Sequence, residues 1–345
     1  MLSPDQSQFM RYVQAIGRGQ RSGRSLEQAE AQDAMRLLLE SKVTPEQKGA
    51  FLMLLRVREE TGAEVAGFTQ ACRQTLIDDV SKVQVDLDIG CYAGKRRQLP
   101  WFLLAVACLV ENGTSVLMHG TQEPQSKRLY IDTALSQLFK QKANILKASS
   151  ISDAATKLAR QGFVYANLSI LHPQLDELIQ LRALFGLRSC ANTLARMLNP
   201  FNANYSVQGV HHKHVDDKHM EVAKRLIEAN VLCFRGEGGE PEIDPSKDTR
   251  LLFSRSGVNT EIVVSADQRW ELKPKELEVE QLLALWQSAL MHPYGEKTAI
   301  STLCALLILL NSEKSESSFK STYKIAEEMW MQRNRSKFLG LELSS

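Results

Sequence analysis

Apolar residues recur at helical spacing through the first quarter of the chain and then change rhythm. Phe9, Tyr12, Val13 and Ile16 mark one face of a helix over residues 4–17, with Ser3 or Asp5 as its cap. The basic, glycine-rich turn Gly17–Arg24 breaks it, and reads either as a phosphate contact or as a solvated loop. Amphipathic helices follow over 26–40 and 45–59, and Glu64–Leu76 is a fourth. From near Val83 short apolar runs alternate with helical stretches. Leu87–Gly90 reads as a strand, Trp101–Asn112 as a helix, Thr114–Met118 as a strand, Ile151–Arg160 as a helix and Phe163–Ala166 as a strand. Val207–Val210, Asp217–Ala229 and Val231–Phe234 repeat the alternation. This pattern predicts an α/β fold with a mainly parallel sheet and helices on its faces. Residues 250–266 read as antiparallel strands, and the tail as helices near 277–290, 297–310 and 318–332.

Composition narrows the class. The 345 residues are 43% hydrophobic and 24% charged, which is ordinary for a soluble globular chain with a substantial core. The net charge of +2 excludes a histone-like polycation, so any nucleic-acid contact must use a local patch. Six scattered cysteines without a C-x-x-C pair predict reduced thiols in a cytoplasmic protein, mostly packed as small hydrophobes, with Cys91 in the loop after Gly90 a candidate for exposure. The polar start Met1–Gln6 predicts no signal peptide. The apolar runs Trp101–Val110 and Leu303–Leu310 are too short to span a bilayer, so no membrane partner is expected.

Candidate chemistry concentrates at residues 88–103. An apolar segment runs into Gly90, a loop follows, and an apolar helix opens near Pro100. That order suits an anion cradle, in which loop N–H groups and a helix N-terminus face a phosphate. The loop carries Lys95, Arg96 and Arg97 side by side. Cations oppose the dipole at a helix start, so their presence points to an anionic partner, and arginine favours bidentate phosphate contacts. His211, His212, Lys213 and His214 follow a strand end, where α/β sheets place ligands. They read as a phosphate or base contact, a metal site, or a solvated loop; no cysteine or carboxylate stands at zinc spacing. Gly236–Gly239 is glycine-rich but acidic, a poor phosphate cradle.

The segments Thr44–Gly62 and Leu171–Pro200, with His172-Pro173, Arg182, Gly186, Arg188, Asn192 and Asn199-Pro200 in register, resemble anthranilate phosphoribosyltransferase. The resemblance implies that fold, shared with nucleoside phosphorylases. It divides the chain into a small discontinuous all-helical domain at 1–80, rejoined by about 173–198, and a larger α/β domain at 81–172 and 199–345. It also implies a homodimer through the helical domains. In those enzymes the arginine matching Arg182 contacts the aromatic carboxylate; the alternative here is an anchor at the domain junction.

The departures from the family pattern carry the functional expectation. The loop GTGGDG is here Gly90–Lys95, KHGNR is Met118-His119-Gly120-Thr121-Gln122, and the Asp-Glu magnesium pair aligns with Pro241-Glu242. The Asn-x-Ser-Thr patch is replaced by Pro100–Leu103. With one carboxylate left, no magnesium or other cofactor is expected, nor anthranilate phosphoribosyltransferase activity. The basic loop Ala93–Gln98 resembles a divergent, YbiB-type branch associated with nucleic-acid binding. The expected function is DNA or RNA binding of low sequence specificity across a basic cleft. Lys95, Arg96 and Arg97 form its expected exposed centre, and His211, His212 and Lys213 assist. Gly90, His119, His172 and Arg182 are candidates for a residual ligand site. The alternative is phosphoribosyl or other glycosyl transfer with an altered substrate.

Overall fold

The computed structural model describes residues 1–19, 22–76, 83–267, 276–311 and 319–343. Part of the Gly17–Arg24 turn and the domain boundary near residue 80 lie outside the described residues. Four helices open the chain: α1 (Pro4–Gly17), α2 (Gln28–Leu39), α3 (Pro45–Arg58) and α4 (Gly62–Gln74). Their starts are written locally. Ser3, Thr44 and Thr61 each accept from the backbone N–H three residues on, and Gln6, Gln47 and Glu64 return the bond.

The α/β part then runs β1 (Leu87–Gly90), α5 (Phe102–Glu111), β2 (Val116–Gly120), α6 (Ile131–Phe139), α7 (Ala143–Leu146), α8 (Ile151–Gln161) and β3 (Phe163–Asn167). A helical return follows: α9 (Leu168–Leu171), α10 (Pro173–Gln180), α11 (Arg182–Phe185) and α12 (Ala191–Arg196). The chain re-enters the sheet with β4 (Tyr205–Val210), α13 (Val215–Arg225), β5 (Asn230–Arg235), β6 (Thr249–Arg255) and β7 (Val258–Val264). It closes with α14 (Glu280–Trp286), α15 (Pro293–Leu310), α16 (Phe319–Gln332) and the small hairpin β8 (Lys337–Phe338) and β9 (Leu341–Glu342).

The main sheet has the order β3-β2-β1-β4-β5-β6-β7. The first five are parallel, and β6 and β7 add antiparallel at one edge. Helix α5 is buried from Phe102 to Val110, in one core with α15 and the sheet. It therefore needs no polar face.

A second core belongs to the helical part. The rings of Phe9, Phe51 and Phe68 meet tilted and edge-on, with centroids 5.0 and 6.0 Å apart. Leu175, Leu178, Ile179 and Leu194 of the helical return join them. Phe9, Ile16, Phe51, Leu52 and Leu55 are thus buried within one chain, whereas their apolar character alone suggests a surface shared between two subunits. Arg333, just past α16, also turns inward. Arg333 lies 3.6 Å from the Trp330 ring centroid and donates to the carbonyls of Trp286 and Leu285.

Helices α2 and α4 meet at Gly67, where a Cβ would lie 2.1 Å from the Gln28 carbonyl oxygen and 2.8 Å from Gln32 N. Helix propensity alone makes Gly67→Ala stabilising by about 1 kcal/mol. Backbone overlap dominates, because neither helix can yield without moving its core, and overpacking of this kind costs about 1–3 kcal/mol. Urea unfolding of the variant is expected to show a net loss of stability; a gain would place the helices further apart than described.

Candidate functional site

Strand order reverses between β1 and β4: the chain proceeds from β1 through β2 to β3 on one side, and from β4 to β5 on the other. Ligands of open α/β sheets bind outside the carboxyl ends of strands at such a reversal. The loops after β1, β2, β4 and β5 meet there, together with segment 182–196.

Lys95 is fully buried, which corrects the expectation of an exposed cation. Its backbone pairs with Leu129, N to O at 2.8 Å in both directions. That pairing turns its side chain inward, while Arg96 and Arg97 stay exposed. Inside, the Lys95 ammonium bridges Glu242 and Glu237, the latter at 2.5 Å. Burial alone would lower the Lys95 pKa; the two carboxylates reverse this and hold it above its ordinary value. One cation does not neutralise two anions. Burial pushes the Glu242 carboxyl up to about 7, with Lys95 opposing and Glu237 assisting the rise.

The expected anion donors are present, and glutamates of the same chain hold them. Ala93 N and Gly94 N donate to Glu240 Oε1 at 2.8 and 2.5 Å. Phe102 N, at the start of α5, donates to Glu242 Oε2 at 2.9 Å. A third carboxylate, Glu123, follows β2. It takes Arg182 Nη1, Arg188 Nε at 2.6 Å and Nη2 at 2.8 Å, Asn192 Nδ2 at 3.1 Å and the Tyr130 hydroxyl at 3.3 Å. Burial raises the Glu123 pKa, but Arg188, Arg182 and Tyr130 outweigh it and hold the carboxyl below its usual range.

The residual-site candidates are mostly enclosed. Gly90 ends β1, paired with His119 and Gln208. His119 is fully buried, with Nδ1 2.6 Å from the Tyr92 hydroxyl and Nε2 3.1 Å from Asp88 Oδ1. His172 caps α10 by accepting from Leu175 N at 3.3 Å, and its Nε2 lies 3.0 Å from Thr75 Oγ1. Burial draws its pKa down to about 4. Both histidines are buried and hydrogen-bonded within the chain rather than open to a cleft. Arg182 is part-exposed and holds Glu123. Cys91 is buried, not open in the loop.

The exposed chemistry forms a rim. His211, His212 and Lys213 are exposed, and the His211 and His212 rings meet at 4.9 Å. Gly239 sits against both His211 and Ala93, which joins this turn to the loop after β1. Arg128 Nη1 donates to the Ala93 carbonyl at 2.9 Å. Burial first, then His212, Arg128 and Arg188, lower the His211 pKa. Its charging therefore lies below the ordinary imidazole range. Among the described residues, no group of three or more His, Cys, Asp or Glu is placed to hold a metal ion.

Sequence reasoning missed Glu123, Glu240 and Arg128. The available signal was complementarity: a Lys-Arg-Arg loop faces the acidic segment Glu237–Glu242 across the strand reversal.

The raised Glu242 pKa fixes a sign. The folded state binds the Glu242 proton more tightly than the unfolded chain. Its stabilisation is complete below 4.5 and is lost as pH rises through about 7. His172 and His219, drawn down to about 4 and about 3 by burial, act oppositely and weaken the fold as pH falls. Comparing wild type with Glu242→Gln isolates the carboxyl. Between pH 4.5 and about 7, wild-type stability should fall relative to the variant, by something on the order of 3 kcal/mol. Parallel pH profiles in urea unfolding would contradict this.

Residues 13–76 match the helical bundle domain of the glycosyl transferase family. The anthranilate phosphoribosyltransferase of Symbiobacterium thermophilum is 27% identical over 317 residues, covering 88% of this chain and 89% of that one. An uncharacterized Aquifex aeolicus protein is also 27% identical, over 263 residues, covering 75% of this chain and 77% of its own. The crystal structure of anthranilate phosphoribosyltransferase from Thermus thermophilus superposes with a TM-score of 0.72 at 20% identity, over 94% of each chain. The Saccharomyces cerevisiae enzyme in complex with PRPP and Mg gives 0.71 at 16%, over 96% of this chain and 94% of that one. In its helical domain, its sequence relatives and its fold, the chain is similar to the anthranilate phosphoribosyltransferase-like glycosyl transferases.

Proposed function

We propose that the protein binds DNA or RNA with little sequence preference, through the cationic rim at the β1/β4 reversal, and that it does not transfer phosphoribosyl groups. One observation carries the reading. The interior anion donors are satisfied by Glu123, Glu240 and Glu242, while Arg96 and Arg97 remain exposed at the mouth. A polyanion can therefore meet the rim without entering the cleft. Arg128 and the His211–Lys213 turn extend that rim. Contacts to phosphates position a strand and carry no base information.

The names of the relatives point instead to phosphoribosyl transfer. Against it, the one carboxylate at the magnesium position, Glu242, is engaged by Lys95 and by the N-terminus of α5. Magnesium prefers near-octahedral oxygen ligation, which this donor set does not supply. The protein works in this reading without magnesium or another cofactor. Six buried free cysteines suit a reducing cytoplasm, and no described helix is long and apolar enough to cross a membrane.

The test is an anisotropy titration with single- and double-stranded oligonucleotides at two salt concentrations. Lys95 is left intact, because a glutamate there would add a third buried carboxylate beside Glu237 and Glu242. The double variant Arg96→Glu/Arg97→Glu should weaken binding about tenfold or more. Its log–log salt slope on duplex should flatten by roughly one unit for each phosphate no longer neutralised. An unchanged affinity and slope in the folded variant would remove the rim from the reading. Magnesium-dependent binding of diphosphate in the same cell would favour transfer instead.

A homodimer belongs to the same proposal. Val57, Leu184 and Leu187 are exposed apolar side chains of the helical domain, available to a second copy. Light scattering at low micromolar concentration should exceed the monomer mass of 38.7 kDa; the monomer value would reject the dimer.

A further inference from the structure

Hydrogen-bond donors converge on the Glu123 carboxylate from Arg182, both forks of Arg188, Asn192 and Tyr130. Arg188 takes the two oxygens separately through Nε and Nη2, the bidentate geometry by which a guanidinium recognises a free carboxylate. The glutamate side chain is 1% exposed, while those of Arg182 and Arg188 are 35% and 31% exposed. About a third of each arginine side chain is thus open to solvent, while the carboxylate between them is not. A fold that needed only a junction contact would be served by one pair, or by apolar packing of equal volume. Two guanidiniums, an amide and a phenol around one carboxylate describe a binding pocket with its occupant in place.

We infer that Arg182, Arg188, Asn192 and Tyr130 form a receptor for a small carboxylate, and that Glu123 of the same chain is the ligand that fills it. Glu123 is thereby the residue that excludes external carboxylates from this scaffold. It arrives on the loop after β2, in the stretch Gln122-Glu123-Pro124, and Thr121 and Gln122 are tied to Gln180 of α10. The loop is held by contacts besides the carboxylate itself, so trimming Glu123 leaves the walls standing. The inference concerns an interior pocket and does not depend on nucleic-acid binding by the rim.

Chemical rescue tests it. Glu123→Ala removes the occupant and leaves two part-buried guanidiniums facing each other, so its thermal midpoint should fall by several degrees. Formate or acetate at tens of millimolar should restore part of that drop, and chloride at equal ionic strength should not. Benzoate should bind the variant saturably, and at least about tenfold more tightly than it binds wild type. Glu123→Ala combined with Arg188→Ala should abolish the rescue. Equal responses to formate and chloride, or wild type binding benzoate as well as the variant does, would overturn the inference. If the alanine variant does not fold in either salt, Glu123→Ala with Arg182→Gln removes one unpaired charge, keeps Arg188 and the emptied pocket, and decides the matter. Its Arg188 Nε–H signal should move on titration with formate while that of wild type stays still; identical titrations in the two proteins would overturn the inference.

Discussion

The cleft depends on one buried contact, the Lys95 ammonium between Glu237 and Glu242. It joins the loop after β1 to the segment after β5 across the point where the strand order reverses. Glu242 also takes the first N–H of α5, so the same carboxylate fixes a loop, a helix start and an ion pair. Desolvating each ion costs several kcal/mol, recovered only when the partners are close and fully hydrogen-bonded. Removing Lys95 would leave two buried carboxylates facing each other; removing Glu242 would leave the helix start without its anion.

The same logic runs through the rest of the interior. The cleft of this chain holds three kinds of donor suited to anions: a pair of loop N–H groups, a helix N-terminus and an arginine fork. Each is met by a glutamate of the chain itself. At the mouth of the cleft, Arg96, Arg97 and the turn after β4 stay on the outside. A protein of net charge +2 can in this way present a local field to a polyanion.

Much of the fold was legible because periodicity and capping are local. Strand β1 was read at its observed ends, and the capping boxes of α1 and α3 stand where the apolar pattern begins. Helix α6 was missed, since its signal is short and lies in a stretch dominated by polar loop residues. The site was less legible. Lys95, Arg96 and Arg97 are chemically alike and adjacent in sequence, yet a backbone pairing with Leu129 sends Lys95 inward. Which carboxylate would meet it depends on Glu237 and Glu242, more than a hundred positions later. Such partners are set by topology, and no local window contains both.

The loop after β1 does not end at the sheet. Trp101, at the cap of α5, packs its indole 4.5 Å from the ring of His292, and His292 in turn caps α15 through Gly295 N at 2.9 Å. Helix α15 is tied to α16 by Trp330 Nε1 on Glu296 at 2.8 Å, and Arg333 fastens α16 to α14. The C-terminal helices thus brace the mouth mechanically, while Arg96, Arg97, Arg128 and Lys213 all lie outside them. Charge and shape are encoded in separate parts of this chain. A shortened protein would keep every arginine of the rim and lose the frame that aims them.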